Sequence, residues 1–171
     1  MLAALVLLIL VALAGIAFLE SGANTGKVIL DPAEAYARGS VEFVGKEHLY
    51  LVRLTDGTFL ALSDLDAANR ANLQRRCRVS PVPVSDPWLP QLLERLGGRM
   101  SAGAAGSTLV FREDCNQAVY DVTGLRLDAD APNLDRYPVS ISETGLVGVD
   151  VSKRSCTARA GAQLFAAIPC K

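Results

Sequence analysis

Histidine is almost absent from this chain, and the absence decides more than any composition figure does. One histidine, His48, stands among 171 residues, which excludes any metal centre needing two or more imidazoles. Charge of one sign is not in excess either: 17 basic residues meet 18 acidic ones for a formal net charge of −1, so no field attracts a polyanion. Aromatics are only 6% of the chain and are not interleaved with a basic stripe, which argues against nucleic-acid binding. There is no Gly-x-Gly-x-x-Gly, no phosphate loop, no zinc spacing and no internal repeat. Ser107, Ser140 and Ser142 have no histidine–carboxylate arrangement near them in sequence to make a nucleophile. His48 itself sits in Lys46-Glu47-His48-Leu49-Tyr50 and reads as a surface residue at the start of a strand.

What is present begins with an apolar run. Residues 2–19 carry no charge; as a helix they would span about 27 Å, close to the hydrocarbon thickness of about 30 Å. No Lys or Arg precedes the run, and it is longer than the apolar core of a cleaved signal peptide. Residues 1–20 are therefore expected to be an uncleaved single-pass anchor against the lipid bilayer. Residues 21–39 are expected to form a linker and a short helix, with Asp31 as cap and Pro32 in the first turn.

Beyond residue 40 the hydrophobic period changes to two. Residues 41–44, 48–54 and 58–63 read as strands, and Asp56-Gly57 is a hairpin signal between the last two. Residues 82–84, 109–111, 118–121, 137–142 and 146–151 read as further strands. Pro87–Leu96 reads as a short helix closed by Gly97-Gly98. Its apolar face, Trp88 with Leu92 and Leu93, is a candidate docking face for a partner. Many short strands with turn signals and few helices predict an all-β domain.

The cysteines are Cys77, Cys115, Cys156 and Cys170. An even count behind an export-type segment suggests two disulfides in an oxidising compartment, and hence a globular part on the periplasmic or other extracytoplasmic side. Cys156 and Cys170 are close enough in sequence to staple residues 152–171 as a tail, which leaves Cys77 and Cys115 to pair. Four cysteines nevertheless allow three connectivities.

Residues 108–124, Thr-Leu-Val-Phe-Arg-Glu-Asp-Cys-Asn-Gln-Ala-Val-Tyr-Asp-Val-Thr-Gly, resemble the second cluster-binding loop of the Rieske [2Fe–2S] family, bc1/b6f type: a cysteine, then Tyr120-Asp121-x-Thr123-Gly124. The Asp56–Ser63 hairpin, Ala131-Pro132 and the closing segment of residues 134–150 follow in family order, so the resemblance covers about residues 40–151. It implies an antiparallel β-sandwich with a small inserted subdomain carrying two loops. In the family these loops read Cys-x-His-x-x-Cys and Cys-x-Cys-His; one cysteine and one histidine of each bind iron, and the other two cysteines form a bracing disulfide. On that frame Cys77 and Cys115 fall on the bracing pair. Asn72 and Glu113 fall on the ligand cysteines, and Gln74 and Asn116 on the ligand histidines. The alternative, with Cys77 and Cys115 as surviving ligands, needs partners at Val79 and Ala118, which cannot coordinate a metal. The resemblance thus implies a degenerate member with no cluster, no metal and no cofactor. Asn72, Gln74, Glu113, Asp114 and Asn116 are oxygen-rich but read as a solvated loop tip.

Three functions fit such a chain. The first is a non-catalytic accessory or structural subunit of a membrane electron-transfer complex, respiratory or photosynthetic, with the other subunits as partners. The second is a membrane-tethered dithiol/disulfide redox protein using Cys77 and Cys115. The third is a stand-alone envelope binding module.

Overall fold

The computed structural model describes residues 26–95, 100–129, 131–159 and 165–169. Among them the chain is mostly β with few helices. Strands β1 (Lys27–Pro32), β10 (Leu146–Asp150) and β9 (Val139–Ile141) form one antiparallel sheet in the order β1-β10-β9. A second sheet runs β12-β11-β8-β4-β3-β2, from β12 (Phe165–Pro169), β11 (Ser155–Arg159), β8 (Arg136–Tyr137), β4 (Phe59–Ser63), β3 (Leu49–Arg53) and β2 (Val41–Val44). A third sheet joins β5 (Val79–Pro83), β6 (Leu109–Glu113) and β7 (Val119–Asp121) in sequence order. It is inserted in the chain between β4 and β8.

The layers follow from side-chain alternation. In β3, Leu49 and Leu51 face one way and Tyr50 and Val52 the other, yet all four are buried. The central sheet is therefore covered on both faces. Leu49, Leu51 and Ala61 meet Val147 and Val149 of the first sheet and Tyr36. Tyr50, Val52 and Leu62 meet Val79, Phe111, Tyr120 and Leu134 on the side of the inserted sheet. The inserted sheet repeats the trick: Phe111 points to the central sheet, while Val110 and Val119 close a third cluster with Leu89. Each fully buried side chain of this size contributes about 1.5–3 kcal/mol.

Helix α1 (Ala67–Ala71) and helix α2 (Trp88–Arg95) both lie in the stretch between β4 and β6. Trp88, Leu92 and Leu93 are half-buried against Leu89, Val110 and Val119, and the Arg112 guanidinium lies 4.7 Å from the Trp88 ring centre. This face is taken up by the domain itself to that extent.

Several expectations need correcting. Residues 27–32, read as linker, form a strand because Lys27, Val28 and Ile29 pair with Asp150, Val149 and Gly148. The helix expected after Asp31 shrinks to one 3-10 turn, Ala33–Ala35, with no side-chain cap. Residues 152–171 are not simply a tail: β11 pairs with β12 and, through Ser155 and Arg136, extends the central sheet. The expected anchor lies outside the described residues; among those described, no helix is long and apolar enough to cross a membrane.

Candidate functional site

The site lies where two loops meet at the end of the inserted sheet. The first leaves β4 through Asp64, Leu65 and Asp66. Asp66 caps α1, its Oδ1 accepting from the Asn69 N–H at 2.7 Å, because an N-cap carboxylate satisfies a donor that the first helical turn leaves free. The chain then makes a 3-10 turn, Leu73–Arg75, and reverses at Arg76 in the left-handed region, φ 56°, before Cys77 and β5. The second loop is the turn Asp114–Gln117 between β6 and β7. Gln117 supplies its left-handed residue, φ 60°, and its N–H donates to the Glu113 carbonyl at 3.1 Å.

Cys77 and Cys115 are joined in a disulfide with Cα atoms 5.7 Å apart, the pairing the family resemblance implies. Cys156 is buried and also held in a disulfide; Cys170, its expected partner, lies outside the described residues. Further links cross between the loops. Arg75 donates to Asn116 Oδ1 at 2.9 Å, the Asp114 N–H donates to the Arg78 carbonyl at 3.0 Å, and Asn69 Nδ2 donates to Glu113 Oε1 at 2.8 Å.

The four positions that the resemblance sets on cluster ligands part company. Asn72 and Gln74 sit on the exposed outer run of residues 71–76, and Asn116 is exposed on the second turn. Glu113 is fully buried. Its second carboxylate oxygen accepts the Asn116 N–H, so both oxygens are engaged. The solvated tip expected for this group therefore holds for Asn72, Gln74, Asp114 and Asn116 but not for Glu113. Burying a carboxylate is costly unless it is hydrogen-bonded, and the Asn69 amide and one backbone N–H supply those bonds. Its position at the last residue of β6, on the inward side of the pleat, explains why a charged residue in a loop-like stretch turns inside.

Beneath the loops lies the Tyr120-Asp121-x-Thr123-Gly124 frame. Asp121 is buried and accepts from the Thr123 N–H at 2.8 Å, the Thr123 hydroxyl at 2.7 Å, the Leu125 N–H at 3.2 Å and the Ser101 N–H at 2.8 Å. Gly124 has φ +84°, and a Cβ there would come within 3.2 Å of both Leu134 and Leu62. The motif thus organises backbone rather than chemistry. Tyr120 donates to Asp66 Oδ2 at 3.4 Å, and burial pushes its hydroxyl pKa far up. Tyr50 donates to the Val79 carbonyl at 2.9 Å; burial, then Asp64 and Asp114, raise it as well.

His48 lies in the β2–β3 turn with φ 53°, a conformation histidine adopts more readily than most residues. Its Nδ1 is 3.2 Å from Asp64 Oδ2, and Arg78 donates to Asp64 Oδ1 at 2.8 Å. Among the described residues no hydroxyl or thiol is hydrogen-bonded to this pair, and the histidine acts as a polar cover on a buried carboxylate.

The residues do not fit an iron–sulfur cluster. Among the described residues the one group with metal-ligand character is Cys77, Glu113 and Cys115. Its sulfurs are bonded to each other and so are unavailable as thiolates, leaving a single carboxylate. A hard cation would need several more oxygen ligands.

No family model matches the chain, and no curated protein matches it. Among solved structures, it is similar to a chain described as an NADH-dependent nitrite reductase small subunit from Mycobacterium tuberculosis, at 17% identity and TM-score 0.38, over 72% of this chain and 92% of that one.

Sequence reading missed Asp64, Asp66 and Asn69. The spacing Asp66-Ala-Ala-Asn69 was the available signal, since a capping residue followed by small helix formers marks a helix start.

Proposed function

We propose that this chain is a cluster-free, Rieske-like accessory subunit of a membrane electron-transfer complex, held by residues 1–20 with its β domain on the extracytoplasmic side. The observation that carries the reading is the ground between the two loops. A disulfide crosses it and the Glu113 carboxylate turns into it, which leaves no place for iron between the loops. The disulfides favour an oxidising compartment. A domain whose loops are braced in this way contributes shape and stability to an assembly and carries no electrons through a metal.

The test is gentle detergent extraction from native membranes, native-gel separation and mass spectrometry of the band holding this chain. Fixed stoichiometry with cytochrome or quinone-reactive subunits is the expected result. Normal assembly of that complex in a strain lacking this chain overturns the reading.

One observation favours a second reading, that of a dithiol redox protein: Cys115 lies on the exposed turn, so one end of the bridge is open to an exchange partner. A reduction potential below about −300 mV would mark a structural bridge and exclude it.

A further inference from the structure

The two sulfurs of the Cys77–Cys115 bridge stand in unlike surroundings. Cys77 is 2% exposed, whereas Cys115 belongs to the exposed turn Asp114–Gln117. The Glu113 carboxylate is fully buried, and a carboxylate oxygen and both sulfurs lie within 4.8 Å of one another. No cation is paired with Glu113 among the described residues: Arg78 is engaged by Asp64 and Arg75 by Asn116. The Asn69 amide and the Asn116 N–H each donate to one oxygen of this carboxylate and hold it at the shielded end of the disulfide.

Thiol chemistry gives the three groups separate tasks. An exposed sulfur is the one an external disulfide can reach. A buried thiol cannot hand its proton to water, yet only its thiolate attacks. A carboxylate beside it, sealed from solvent, is placed to take that proton. Resting on the redox reading above, we propose that Cys115 and Cys77 form a two-cysteine exchange site for disulfides of other proteins, with Cys115 attacking, Cys77 resolving and Glu113 accepting the Cys77 proton.

The reaction runs from the reduced pair. The Cys115 thiolate attacks one sulfur of the substrate disulfide; a Cys115–substrate bond forms, the substrate S–S bond breaks, and the departing thiolate takes a proton from solvent. The Cys77 thiol then gives its proton to Glu113 as its sulfur attacks Cys115 Sγ. The Cys77–Cys115 bond forms, the mixed bond breaks, and the second substrate sulfur leaves as a thiolate that is protonated in turn. Two electrons pass from the pair to the substrate, and a dithiol reductant restores the pair.

The experiment uses the full chain, reduced, with oxidised glutathione as the probe and peptide mapping by mass spectrometry. The Cys77→Ala variant is expected to hold one glutathione on Cys115, and Cys115→Ala to leave Cys77 unmodified over the same time. In the wild type, the rate at which the mixed disulfide resolves is expected to rise less steeply with pH than a free thiolate would give, because the proton passes to Glu113 within the site. In Glu113→Gln it is expected to fall at least about tenfold and to rise with pH, while Glu113→Asp recovers part of the loss. Absence of an adduct on Cys115 overturns the redox reading and this inference with it. An adduct that resolves in the wild type with a rate rising about tenfold per pH unit, as free thiolate would give, overturns the role of Glu113 and leaves the redox reading standing; that measurement needs no variant to fold.

Discussion

Removing the Cys77–Cys115 bridge tests how far the two loops depend on it. The cysteines are 38 residues apart in sequence, and closing a loop of that length in the unfolded chain corresponds to about 4 kcal/mol in the chain-entropy account. Cys115 is exposed and loses little packing when truncated. Cys77 is buried beside Glu113, so its truncation adds a small cavity cost. Comparing Cys115→Ala with the double variant Cys77→Ala/Cys115→Ala separates these contributions, since both lack the bridge and only the second empties the Cys77 site. Urea unfolding of the domain is expected to show a loss of about 4 kcal/mol for the single variant, with a melting temperature lower by roughly 8–16 °C. The dependence on urea should also steepen, because an uncrosslinked unfolded chain exposes more surface. A loss below about 1 kcal/mol with an unchanged slope would refute the reasoning. It would mean that the bridge does not restrict the unfolded chain as the chain-entropy account requires.

Three further perturbations bear on the frame beneath the site. Gly124→Ala places a Cβ against Leu134 and Leu62 in a left-handed conformation and is expected to cost about 2–4 kcal/mol, read by thermal unfolding; a neutral result would remove the steric account of the Asp121-x-Thr123-Gly124 turn. Asp66→Ala strips the α1 cap and the acceptor of the Tyr120 hydroxyl and is expected to cost about 1–3 kcal/mol, with faster hydrogen exchange confined to residues 67–76. Asp150 is held below the usual carboxylate range by the Ser152 hydroxyl and by Lys153. A carboxyl lowered in the folded state contributes stability that is present above its unfolded pKa and is lost as pH falls through its folded one. The acid limb of the wild-type stability curve should therefore flatten in Asp150→Asn, and identical acid limbs in the two proteins would contradict that assignment.

The parts legible in the sequence were those fixed by local rules. The alternation of residues 48–63 and the Asp56-Gly57 turn describe a hairpin whatever surrounds them, and β3 and β4 pair there, Leu49 with Ser63 through Arg53 with Phe59. The parts that were not legible depend on distant partners. Lys27–Pro32 has a Gly before it and a Pro at its end, so it reads as linker; only β10, more than a hundred positions away, makes it a strand. The C-terminal pair β11 and β12 is rich in small residues that carry weak strand preference, and it earns its place by extending β8.

Glu113 shows the same limit at the site. A carboxylate flanked by Arg112 and Asp114 reads as solvated because charge in a polar stretch is cheapest in water. Its burial follows from two facts absent from the local sequence: β6 runs two residues further than its apolar stretch, and Asn69 on the other loop arrives with an amide donor. The frame around it stands apart from this carboxylate. Asp121, Thr123 and Gly124 hold their turn through the carboxylate of Asp121 and the close approach of Leu62 and Leu134, none of which involves Cys77, Cys115 or Glu113. Loops carried by a frame that is satisfied on its own can exchange one set of side chains for another without unfolding the sheet that bears them. What the loops must then supply is their own cohesion, and here a covalent bridge and a hydrogen-bonded carboxylate supply it.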